Sequence, residues 1–162
     1  MKKTLHALLA GSISVAIAVP AFAQDSYDQG SSEPWRNCYH GARTPSEARD
    51  FDKVAIIAKN GKAPTLQQVE KAIIAAGKEK KWVMNTISQG TASGKIEATL
   101  LVRGKHTVIV GIVYSPENYS IHYKNTINMN AAFCNGKTWL HPNYNVWVSR
   151  LNDEIQSKLD AI

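Results

Sequence analysis

Cys38, His40, Cys134 and His141 are the residues of this chain best suited to hold a metal ion, because a thiolate and an imidazole two residues apart can converge on one cation. Cys38-x-His40 occurs once, and the second close pair that a structural zinc site uses is missing. Two lone cysteines outside the cytoplasm bond to each other more readily, so a Cys38–Cys134 disulfide is expected and no metal site is. His40, His106, His122 and His141 in a basic chain also invite ribonuclease chemistry, in which one imidazole takes a proton, another donates one and a lysine steadies the charged transition state. Their spacing selects no pair. His106 and His122 fall on different strands of one meander and are placed to approach each other.

Other catalytic patterns fail on their own terms. Gly90-Thr91-Ala92-Ser93-Gly94-Lys95-Ile96 is one residue short of a phosphate-binding loop, has Ile where Ser or Thr should hold magnesium, and lies between strands, so it is read as a hairpin loop and no nucleotide is expected. No Gly-x-Ser-x-Gly elbow occurs, and Asp153-Glu154 reads as the solvated face of a helix rather than a glycosidase pair. Trp139, Tyr144 and Trp147 cluster around His141-Pro142, where a stacking shelf is weighed against core packing and packing is preferred. An enzyme reading therefore has no residues to stand on, and no cofactor is expected.

Where these residues meet water depends on the first 23. Lys2 and Lys3 precede an apolar run over residues 8–19 that ends in Ala21-Phe22-Ala23, the form of a secretory signal peptide cleaved after Ala23. The run is too short to span a bilayer, and no cysteine at the cleavage point offers a lipid anchor. Cleavage leaves 139 of the 162 residues, enough for one domain, in the periplasm or secreted. It also leaves 17 basic and 13 acidic residues, a formal charge of +4. All of the excess falls in residues 53–105, with ten basic side chains against three acidic, which makes attraction to an anionic surface or polymer a stated alternative to a merely soluble lysine face.

Residues 24–52 read as a polar, irregular leader whose second half is pinned by Cys38 between Trp35 and Tyr39, and residues 53–162 as one domain. Val54-Ala55-Ile56-Ile57-Ala58, closed by Asn60-Gly61, is read as a short strand. Thr65 and Gln68 form a capping box for a helix whose stripe of Leu66, Val69, Ala72, Ile73 and Ala76 is expected to stop at Gly77. Alternation predicts strands over 82–88, 96–102, 106–114 and 119–125, with tight turns at Arg103-Gly104-Lys105 and Ser115-Pro116-Glu117-Asn118. A last helix follows Pro142, with Tyr144, Val148, Leu151, Ile155, Leu159 and Ile162 on one face. The expectation is an α+β domain: a mostly antiparallel sheet with a meander of about four strands and one extra N-terminal strand, two helices on one face, and the other face bare.

Ile96-Glu97-Ala98, Arg103 before Gly104-Lys105-His106, residues 110–114, Tyr119-Ser120-Ile121-His122-Tyr123 and His141-Pro142-Asn143-Tyr144-Asn145-Val146-Trp147-Val148 resemble a group of small uncharacterised secreted proteins and lipoproteins of Gram-negative bacteria. The resemblance implies an envelope location and no activity. Together these readings describe a non-enzymatic periplasmic or secreted binding domain. Lys78, Lys80, Lys81, Arg103 and Lys105 are its candidate contacts to an anionic envelope component. The alternatives are a secreted hydrolase such as a basic nuclease, and an accessory envelope subunit that binds a protein partner by its sheet.

Overall fold

The computed structural model describes residues 33–57 and 62–162. The signal-peptide reading, the first part of the leader and the Asn60-Gly61 turn lie outside the described residues. Within them the chain is α+β, with element order β1 (Ser46–Glu47), β2 (Phe51–Ala55), α1 (Leu66–Glu79), β3 (Val83–Gln89), β4 (Gly94–Val102), β5 (His106–Tyr114), β6 (Asn118–Ile127), β7 (Ala132–Cys134), β8 (Lys137–Leu140) and α2 (Asn143–Leu159). Five strands form an antiparallel sheet in the order β2-β6-β5-β4-β3, and β1-β8-β7 form a smaller one.

The meander follows from alternation. Ile96, Ala98 and Leu100 of β4 pair with Ile112, Val110 and Val108 of β5, and Tyr114 and Ile112 pair with Tyr119 and Ile121 of β6, so one face carries an apolar layer. Both helices cover that layer. Val69, Ala72, Ile73 and Ala76 of α1 and Tyr144, Val148, Leu151, Ile155 and Leu159 of α2 share its core, where each large aliphatic side chain contributes roughly 1.5–3 kcal/mol by leaving water. Tyr119 is seated by its hydroxyl, which donates to Oδ1 of buried Asn152 at 2.8 Å. Among the described residues nothing covers the opposite face, which carries Val83, Leu101 and Ile127 at 70 %, 61 % and 53 % exposure. An ion pair between Lys124 and Glu97 crosses β5 there.

Several boundaries differ from the pattern reading. Helix α1 starts on its capping box, with Thr65 Oγ1 accepting from the Gln68 amide at 3.2 Å, but it continues through Gly77 to Glu79. Gly77 sits where a Cβ would lie 2.1 Å from Met84 Sδ, so its role is close approach of helix to β3; the chain turns off two residues after Glu79, at Lys81, φ 65°. Strand β2 is Phe51–Ala55, so it begins three residues before the apolar run and ends within it, and its pairing with β6 is interrupted by a bulge at Lys53, φ 46°. Ile162 is exposed beyond the end of α2.

Strands β1, β7 and β8 were not anticipated. β7 and β8 turn at Asn135-Gly136, both left-handed at φ 52° and 76°, the residue pair a two-residue hairpin favours. β1, inside the stretch read as leader, pairs with β8. Cys38 and Cys134 are disulfide-bonded with Cα atoms 6.3 Å apart, which ties the segment before β1 to the end of β7. No described helix is long and apolar enough to cross a membrane.

Candidate anion-binding cleft

Four separate stretches of chain meet at one end of α2. The three-residue turn between β4 and β5, Arg103-Gly104-Lys105, puts both Arg103 and Gly104 in the left-handed region, at φ 53° and 65°, with the Lys105 amide donating to the Val102 carbonyl at 3.1 Å. That turn projects Arg103, and β5 begins with His106. The turn after β6 supplies the scaffold. Asn128 and Asn130 are left-handed, at φ 58° and 51°, and bracket buried Met129. Asn128 Nδ2 donates to the Lys105 carbonyl at 2.7 Å, the Asn128 carbonyl accepts from His106 Nδ1 at 2.7 Å, and the Met129 carbonyl accepts from the His141 amide at 2.9 Å. One asparagine-rich turn therefore holds the His106 ring and the His141 backbone.

The result is a cleft of about 330 Å³ walled by Arg43, Arg103, His106, His141, Asn143 and Trp147, over a floor that includes Met129. Arg43 arrives from the segment between Cys38 and β1, and Trp147 from the second turn of α2. The two imidazole centroids lie 6.4 Å apart. Burial, then the Arg43 guanidinium, then His106 hold His141 below the ordinary imidazole value, so His141 is neutral near pH 7. The Asn143 amide donates to His141 Nδ1 at 3.2 Å, which favours the same neutral form. Arg43 and Arg103 form no ion pair among the described residues, where the pairs found run from Lys80, Lys124, Lys137, Lys158 and His122. Two uncompensated guanidiniums beside two imidazoles and an indole make a site that attracts anions and offers an apolar wall.

The five anticipated contact residues separate. Arg103 lines the cleft, and Lys105 stands exposed beside it. Lys80 is bound to Glu154 at 2.7 Å, holding that carboxyl below its ordinary value, and so is not free for a ligand. Lys78 and Lys81 are exposed at the C-terminal end of α1 and do not line the cleft. Arg43, His106, His141 and Trp147 were not grouped by sequence reasoning, although Arg103, His106, His141 and Trp147 all lie in the stretches quoted for the resemblance above.

The paired-histidine expectation is corrected. His122 pairs in register with Gly111, five residues along β5 from His106, a separation of about 17 Å. It is engaged by Asp50, 3.2 Å from its Nδ1. The metal alternative loses its ligands, because the two sulfurs are bonded to each other; among the described residues no group of three His, Cys, Asp or Glu converges. Comparison of the chain with protein-family models, curated proteins and solved structures returned no match.

Proposed function

We propose that this protein is an exported, non-enzymatic binding module that takes an anionic ligand in the cleft at the start of α2. A single observation carries the reading: Arg43 and Arg103 converge on one cavity without a carboxylate partner among the described residues. A guanidinium left unpaired beside a partly enclosed wall gains most from an oxyanion, which it grips by two parallel N–H donors. The disulfide and the lack of a membrane-crossing helix among the described residues are compatible with a periplasmic or secreted setting. A cavity of about 330 Å³ suits a small ligand or one terminal group of a larger one, at the lower end of ordinary ligand sites.

Calorimetric titration with organic phosphates and sulfates tests this. Arg43→Gln and Arg103→Gln should each weaken binding by at least tenfold, whereas Lys78→Gln with Lys81→Gln should leave it within twofold. Equal losses at both places would return the contact to a diffuse basic face and end the cleft reading.

A further inference from the structure

We infer that the cleft recognises a phosphomonoester, and that it does so by the opposite hydrogen-bonding states of its two imidazoles; the inference rests on the anion-site reading above. The states follow from backbone partners. A carbonyl only accepts, so His106 Nδ1, 2.7 Å from the Asn128 carbonyl, carries its hydrogen, and the neutral ring has a bare lone pair at Nε2. A backbone amide only donates, so His141 Nδ1, 3.2 Å from the Asn143 nitrogen, is unprotonated, and its hydrogen sits on Nε2. With their centroids 6.4 Å apart in one cleft, the rings present one acceptor and one donor to whatever lies between them.

A fully deprotonated oxyanion meets this pair badly, because its oxygens only accept and one of them would face the His106 lone pair. A phosphomonoester is different. Its second ionisation falls near pH 6, so at neutral pH a proton is available to one of its oxygens at small cost. The P–OH donates to His106 Nε2, a second oxygen accepts from His141 Nε2–H, and the remaining negative charge is left for Arg43 and Arg103. Sulfate esters and phosphodiesters have no such proton to offer. Trp147 gives the organic part of the ester an apolar surface, favouring a flat or ring-bearing group over inorganic phosphate.

The test is titration of the intact, disulfide-bonded protein at pH 7.5 with phenyl phosphate, phenyl sulfate and methyl phenyl phosphate. Phenyl phosphate should bind at least tenfold more tightly than either of the others. His106→Gln, which replaces the fixed lone pair by an amide that can turn its donor inward, should bring the phosphate-to-sulfate ratio to within threefold of one. Equal affinity for phosphate and sulfate in the unaltered protein overturns the monoester inference while leaving the anion site standing; binding of none of the three overturns both. Sedimentation with vesicles containing phosphatidic acid or phosphatidylglycerol then separates sources. Retention on the former alone places the monoester on a lipid headgroup, and retention on neither, with phenyl phosphate bound, assigns it to a soluble molecule. Retention on phosphatidylglycerol equal to that on phosphatidic acid counts against the inference.

Discussion

Arg103 occupies a backbone position that its own side chain disfavours, so replacing it by asparagine should stabilise the fold and disable the cleft at once. At φ 53° a residue with a Cβ costs roughly 1–2 kcal/mol relative to right-handed backbone, and asparagine recovers part of this, about 0.5–1 kcal/mol. Asn-Gly is also the pair favoured where two successive turn residues are left-handed, and the Arg103 side chain is exposed and makes no ion pair among the described residues that the change would break. For a domain of this length the gain corresponds to a Tm higher by about 3 °C. Ligand reverses the order. At one hundred times the wild-type Kd, phenyl phosphate adds about 2.7 kcal/mol to the wild type. The variant lacks a charge-assisted contact worth roughly 1.5–3 kcal/mol, so it gains far less. Thermal unfolding followed by circular dichroism, with and without phenyl phosphate, should therefore give melting curves that exchange places. A variant that melts lower without ligand, or one that gains as much from ligand as the wild type, refutes the assignment of Arg103 as a strained binding residue.

Removing the disulfide by Cys38→Ser with Cys134→Ser opens a loop with a sequence separation of 96, and the chain-entropy model sets the loss at about 4–5 kcal/mol as an upper figure, read as a lower denaturant midpoint. Tyr119→Phe leaves Oδ1 of buried Asn152 without its donor and should cost about 1–2 kcal/mol in the same assay, with little change in the slope. His141 titrates below its unfolded value of 6.5, so the unfolded chain binds its proton first; stability is full above pH 6.5, falls as pH drops from there to the folded value, and is level beneath it. Unfolding midpoints between pH 7.5 and 5 should show this decline, and His141→Asn should flatten it. Glu154 acts in a lower window, since its depressed carboxyl stabilises the fold above pH 4.5 and the contribution is lost as pH falls from there through the folded value.

The long elements could be read in the sequence because each shows its period several times over. Ile96, Ala98, Leu100 and Val102 alternate through four repeats of one face, and Tyr144 to Leu159 holds the helical stripe for more than four turns. Strands β1, β7 and β8 have two, three and four residues, too few for any period to register, although Asn135-Gly136 was by itself a usable hairpin signal. Gly77 misled because a glycine late in a helix serves equally well as a stop or as a point of close contact, and only the position of Met84 decides. The cleft had no local signature. Arg43, the 103–106 turn, the 128–130 turn and the start of α2 are joined by sheet register and by the Cys38–Cys134 bond, so the sequence set His141 beside the cysteines, the other histidines and the Trp147 cluster but never beside Arg43 or Arg103.

Arg43 stands five residues after Cys38 and three before β1, held on one side by sulfur and on the other by a two-residue strand. In the binding reading proposed above, ligand affinity would therefore depend on the redox state of the Cys38–Cys134 pair. Reduction of that bond would release the segment that carries Arg43 and so would cost the proposed grip one of its two guanidiniums. On the export proposed above, that jaw of the grip would be fastened only in an oxidising space, and the bond would work as a customs seal that arms the protein on arrival.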